Sequence, residues 1–176
     1  MEKQIVKKLF IVNSFISLTV LLLFHVTANY FFLSDPIGFS TNDVSILSIL
    51  LAILFLTIGT VLNIAFLFNR NIDPHKYSKT KFVFISSIIV ILTTFLLDAT
   101  YQLFNKDVSL AYSKALFTMF GGAEMDEISL KVFYKMPFFL KNIFSNLISI
   151  FLFQLISIYL YSNLFNFNKT TFNNPQ

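Results

Sequence analysis

The side chains able to do chemistry in this sequence sit in apolar surroundings. The segment "FVFISSIIVILTTFLLDATYQLF", from Phe82 to Phe104, carries no charge until Asp98. The segment "LFIVNSFISLTVLLLFHVTANYFF", from Leu9 to Phe32, carries His25 in a comparable setting. Ionisable groups in hydrocarbon are expensive and often functional. A carboxylate beside an imidazole holds its charged form or fixes the tautomer of the neutral ring. The spacing favours such a pair: His25 stands 17 residues beyond Lys8, and Asp98 stands 17 residues beyond Lys81. At 1.5 Å per residue, both reach about 25 Å above the basic end of their segment, within a core about 30 Å thick. The expectation is a His25–Asp98 pair near one membrane boundary, with Thr94, Tyr101 and Asn29 completing a polar cluster. Two plainer readings compete with it. Asp98 reaches water or headgroups unaided, or His25 bonds a neighbouring carbonyl.

A second polar level lies nearer the opposite boundary, with Asn13, Asn63 and Gln154, and Asn146 elsewhere on the last segment. Amides in apolar helices join one helix to another at around 0.6 kcal/mol per hydrogen bond. These three are expected to pack helices together or, in the functional alternative, to line a path. Ser48, Ala52 and Gly59 give the second segment small residues that let helices approach.

Other chemistries find little support. The chain has no cysteine, which excludes disulfides, thiolate metal sites and a cysteine nucleophile. It has no Gly-rich phosphate loop, HExxH motif or nucleophile elbow. Its two histidines, His25 and His75, are expected on opposite sides of a membrane, where they cannot share a metal or haem. Neither a cofactor nor a metal nor a catalytic activity is expected. The net charge of +4 is not a nucleic-acid signal, because its basic residues lie between apolar segments and Arg70 is the lone arginine.

The elements that must position these residues follow from composition. The chain is 56% hydrophobic and 12% charged, whereas soluble domains have about 25% charged residues. A spanning helix needs about 20 mostly apolar residues. Four segments qualify, at about 9–32, 44–68, 82–104 and 143–165. Turn formers separate the first two, and a polar stretch ending near Lys81 separates the next two. The sequence predicts an all-α fold, an integral membrane four-helix bundle forming one domain over 1–176.

Lys3, Lys7 and Lys8, then Arg70, Lys76, Lys79 and Lys81, then Lys169 place both termini and the second connection in the cytoplasm by the positive-inside rule. "VTA" at Val26 to Ala28 resembles a signal-peptide cleavage site. The apolar run continues through Phe32, so an uncleaved span is expected. Richness in Phe, Ile, Asn and Lys points to an AT-rich bacterial source, and so to the inner membrane.

The long connection before the last span has helical periodicity. Val108, Ala111, Tyr112, Ala115, Leu116, Met119 and Phe120 share a face, with Asp107 as the expected N-cap and Ser109, Ser113 and Lys114 elsewhere. Gly121-Gly122 ends that helix, and Met125, Ile128, Val132, Phe133 and Met136 mark a second one. Together they predict an amphipathic helical hairpin over 107–140 on the outer membrane surface.

The stretches "SLAYSKALFTMF" and "MPFFLKNIFSNLISIFLFQLISIYLY" resemble a bacterial family of small four-helix integral membrane proteins of unknown function. That resemblance implies a membrane protein without assigned activity. Two function classes fit the residues. One is a non-catalytic subunit or scaffold of a larger membrane complex, whose partners are the lipid bilayer and other membrane protein subunits. The other is a small proton-coupled transporter or channel using His25 and Asp98.

Overall fold

The structure is a computed structural model and describes residues 3–34, 40–70, 78–119, 132 and 135–172. Helices dominate, and no strand occurs among the described residues. They are α1 (Lys3–Ser34), α2 (Thr41–Asn69), α3 (Lys79–Phe104), α4 (Lys106–Met119), the one-turn α5 (Phe138–Lys141) and α6 (Ile143–Phe172). Four of them, α1, α2, α3 and α6, contain stretches long and apolar enough to cross a membrane.

α2 and α3 start a few residues before their apolar segments because serine caps close their first turns. Ser40 caps α2 in a reciprocal box: its hydroxyl accepts from the Asp43 N–H at 3.2 Å, and its own N–H donates to Asp43 Oδ2 at 2.9 Å. Such a box satisfies two orphan groups of a helix start. Ser78 does the simpler half of this for α3.

The sorting of side chains is the reverse of a water-soluble fold. On α1, Phe10, Phe15, Leu18, Leu22 and Val26 face outward while Asn13, Ser17 and His25 are buried. An apolar exterior with polar groups drawn inward is what lipid solvation selects. Lipid offers no hydrogen bonds, so exposed hydroxyls must find partners on their own helix. Thr19, Thr27, Thr57 and Thr100 each donate to the carbonyl four residues back.

Contacts set the helix directions. Ser17 meets Thr93, His25 meets Asp98 and Asn29 meets Tyr101, so α1 and α3 run parallel. Ser48 meets Asn142, Asn63 meets Gln154 and Phe68 meets Tyr161, so α2 runs parallel to the final helical stretch. Asn13 meets Gln154 while Phe24 meets Phe138, which makes α1 antiparallel to that stretch. The core between them is aromatic, with Phe24, Phe55, Tyr112, Phe138, Phe139 and Phe153 fully buried.

One turn of α2, Phe55–Gly59, winds as a π-helix. Such a turn is a local bulge in an α-helix. Gly59 stands against the Phe153 ring, where an added Cβ would lie 3.1 Å from Cδ2. The small residue therefore serves close approach, and Phe55 stacks on the same ring.

The connection before the last span departs from expectation in part. α4 is helical, and Val108, Tyr112, Ala115 and Leu116 are buried. Asp107 lies inside its first turn rather than at the cap. Ser109 and Ser113 do not face away: both are fully buried, because other polar side chains reach Ser109 and Ser113 bonds the Ser109 carbonyl. Residues 120–131 and 133–134, which hold most of the expected second arm, lie outside the described residues, as does His75. Val132 is exposed and Met136 half-buried. Pro137 is the N-cap of α5.

Candidate functional site

α1 and α3 deliver His25 and Asp98 to one level. Parallel helices keep residues at matching heights together, and the equal offsets from Lys8 and Lys81 set those heights. His25 Nε2 lies 3.1 Å from Asp98 Oδ1. The two side chains are 7% and 0% exposed, so neither samples solvent. The contact is close in distance but poorly aligned. Both His25 ring nitrogens and Asp98 Oδ1 lack a hydrogen bond among the described residues.

The other carboxylate oxygen is better served. Asp98 Oδ2 accepts the backbone N–H of Phe139 at 2.6 Å. Phe139 lies in the first turn of α5, where N–H groups have no helical acceptor. A carboxylate there satisfies an orphan donor and faces the positive end of the peptide dipoles. Asp98 thus ties α3 to the chain leading into α6 and does not reach out to water.

Aromatic rings enclose the imidazole. Tyr101 stacks on it at 3.5 Å between centroids, and Phe24 and Phe138 meet it edge-on. The Tyr101 hydroxyl donates to Asn29 Oδ1 at 2.9 Å. Tyr101 and Asn29 therefore belong to the cluster as expected from the sequence. Thr94 does not: it donates to Ser17 at 3.1 Å and joins a separate hydroxyl group with Thr93.

Two further networks lie beyond Asp98. Ser48, Tyr112 and Asn142 form a ring of side chains linking α2, α4 and the residue between α5 and α6. Ser109 Oγ receives Gln102 Nε2 and Lys141 Nζ, each at 2.9 Å. Burial pushes the Lys141 ammonium down to about 8, against a smaller opposing pull from Asp98. Burial also pushes the Tyr112 phenol up, opposed by its bonds to Ser48 and Asn142. Sequence reading missed Gln102, Ser109, Lys141, Asn142 and the Phe139 N–H. "Pro137-Phe-Phe-Leu-Lys" was the available signal, an apolar turn fixed by proline just before a span.

Asn13, Gln154 and Asn63 form a chain of amides across three helices. Gln154 donates to Asn13 Oδ1 at 2.7 Å and accepts from Asn63 Nδ2 at 2.8 Å. Asn13 spends its own amide on the Leu9 carbonyl at 2.8 Å. All three are fully buried. Asn146 instead donates to the Phe139 carbonyl at 3.0 Å, so it supports α5.

No protein-family model, curated protein or solved structure matches the chain.

Proposed function

We propose that this chain is a non-catalytic subunit or scaffold of a larger membrane protein complex. In this reading it is a four-helix bundle in a bacterial inner membrane, with both termini in the cytoplasm. α4 caps the outer end.

The observation that carries the reading is the use made of Asp98. A buried carboxylate that closes the first turn of α5 holds the α3–α6 connection in place, which is structural work. The Asn13–Gln154–Asn63 chain has the same character, since its amides mostly satisfy one another. Exposed aromatics such as Phe10, Phe15 and Phe84 present packing surface to lipid and to neighbouring subunits. The test is purification of the tagged chain in mild detergent with mass measurement of the intact particle. A membrane partner at fixed stoichiometry supports the subunit reading, and a solitary chain or a homo-oligomer counts against it.

A second reading, a small proton-coupled transporter, has one observation of its own. Asp98 Oδ1 lies 3.1 Å from His25 Nε2 and neither atom is committed to another hydrogen bond among the described residues, which leaves two titratable groups at proton-transfer distance. Proton flux into liposomes that Asp98→Asn abolishes supports it, and the same flux from both proteins rejects it.

A further inference from the structure

A groove of about 630 Å³ runs along the outward side of α3 toward the start of α4 and the approach to α5. That size falls within the range of about 300–1,000 Å³ typical of small-ligand sites. Its long wall is apolar, formed by Phe95, Leu96, Ala99 and Leu103. From Phe95 to Leu103 the helix rises about 12 Å. At the far end stand Lys106 and Lys135, both exposed. Neither makes an ion pair among the described residues.

We propose that this groove is a binding site for an anionic phospholipid. One acyl chain lies along Phe95, Leu96, Ala99 and Leu103, and the headgroup phosphate rests on the Lys106 and Lys135 ammonium groups. The inference goes beyond the subunit reading and does not depend on it.

The polarity gradient supplies the argument. An apolar helix face alone accepts any lipid or any helix. Here the apolar wall belongs to a spanning helix and leads directly to two cations past that helix's end. A phospholipid has the same order of parts along its length, and lysines near a membrane surface favour anionic lipids. Gln102, which shares the groove wall, is held by Ser109 and gives the polar end a fixed floor.

The test reconstitutes the full chain in bilayers with spin-labelled phosphatidylglycerol or spin-labelled phosphatidylcholine and measures the motionally restricted lipid. The wild-type chain is expected to prefer the anionic lipid roughly thirtyfold, as two lysines at about 1 kcal/mol each imply. Lys106→Gln with Lys135→Gln should bring that ratio close to one. Ala99→Phe, which fills the apolar wall while keeping both lysines, should also lower it. Equal restriction of the two lipids by wild type overturns the proposal. So does a preference that survives either variant. Displacement of the lipid by soluble glycerophosphate at matched concentration also overturns it, since the site then takes the free phosphate group rather than the lipid. If the double variant fails to fold, rising salt on the wild-type chain takes its place. A lysine–headgroup contact weakens with salt, and a salt-insensitive preference rejects the assignment.

Discussion

The Asp98 carboxylate accepts the backbone N–H of Phe139 at 2.6 Å, so a side chain on α3 closes the first turn of α5. Hydrogen bonds to charged groups contribute about 1.5–3 kcal/mol, and an orphaned buried donor costs about 1–3 kcal/mol. Asp98→Ala should therefore lower stability by about 2 kcal/mol. Asp98→Asn keeps an oxygen for the Phe139 N–H and should cost less. Unfolding midpoints in detergent rank the two variants. Equal stability of Asp98→Ala and wild type would falsify the capping role.

His25 touches the other oxygen of the same carboxylate at 3.1 Å. Residues in contact show coupling of about 0.5–3 kcal/mol in double-mutant cycles. His25→Gln and Asp98→Asn should thus be non-additive in unfolding free energy. Tyr101 stacking gives His25 a second source of stability, so His25→Gln alone is expected to destabilise as well. Strict additivity of the pair means that the short distance carries no energy.

The sequence made part of this legible, for identifiable reasons. Span positions follow from apolar length, which needs no knowledge of packing. The shared level of His25 and Asp98 follows from helical rise and two lysine landmarks. Height does not determine rotation, however. Thr94 has nearly the right height for Asp98, yet it bonds Ser17. The partner of Asp98 was illegible because it is a backbone N–H, and every residue but proline carries one. The Ser109 environment was hidden for a related reason. Amphipathic periodicity assigns serine to the wet face, whereas here Gln102 and Lys141 supply hydrogen bonds inside.

The amide chain yields a prediction with an unusual sign. Gln154→Leu removes the middle amide and leaves Asn13 Oδ1 and Asn63 Nδ2 without that partner. The loss should be about 1–3 kcal/mol, since orphaned buried groups are costly. Replacing all three, with Asn13→Leu and Asn63→Leu added, removes the orphans and should recover part of the loss. A triple variant less stable than Gln154→Leu would show that the amides are held by more than each other.

Gly59 tests the close approach of α2 to α6. A Cβ there sits 3.1 Å from Phe153, so Gly59→Ala demands a shift of a few tenths of an ångström. Alanine gains up to about 1 kcal/mol of helix propensity over glycine. Valine gains less and meets the ring with two more methyl groups. Overpacking of this kind costs about 1–3 kcal/mol. Gly59→Val should be destabilising, and Phe153→Ala in the same chain should relieve it. If Gly59→Val costs the same with and without the Phe153 ring, the ring is not what demands glycine.

Lys141 provides a pH signature outside the spans. Its folded value is lowered to about 8 from the ordinary 10.5, chiefly by burial. Below about 8 both folded and unfolded chains hold the proton, and the full burial penalty is present. Between about 8 and 10.5 the unfolded chain holds the proton while the folded chain has released it. The unfolded state then binds more protons, so stability rises with pH across that window. Tyr112 acts with the opposite sign at the alkaline end. Its phenol is raised above 10.0, so the unfolded chain loses that proton first and stability falls there. The melting temperature should therefore climb from about pH 8 to about pH 10 and then turn over. Lys141→Met should flatten the climb and leave the alkaline fall. A wild-type curve without the climb, or a climb retained in Lys141→Met, would remove the assignment to this lysine.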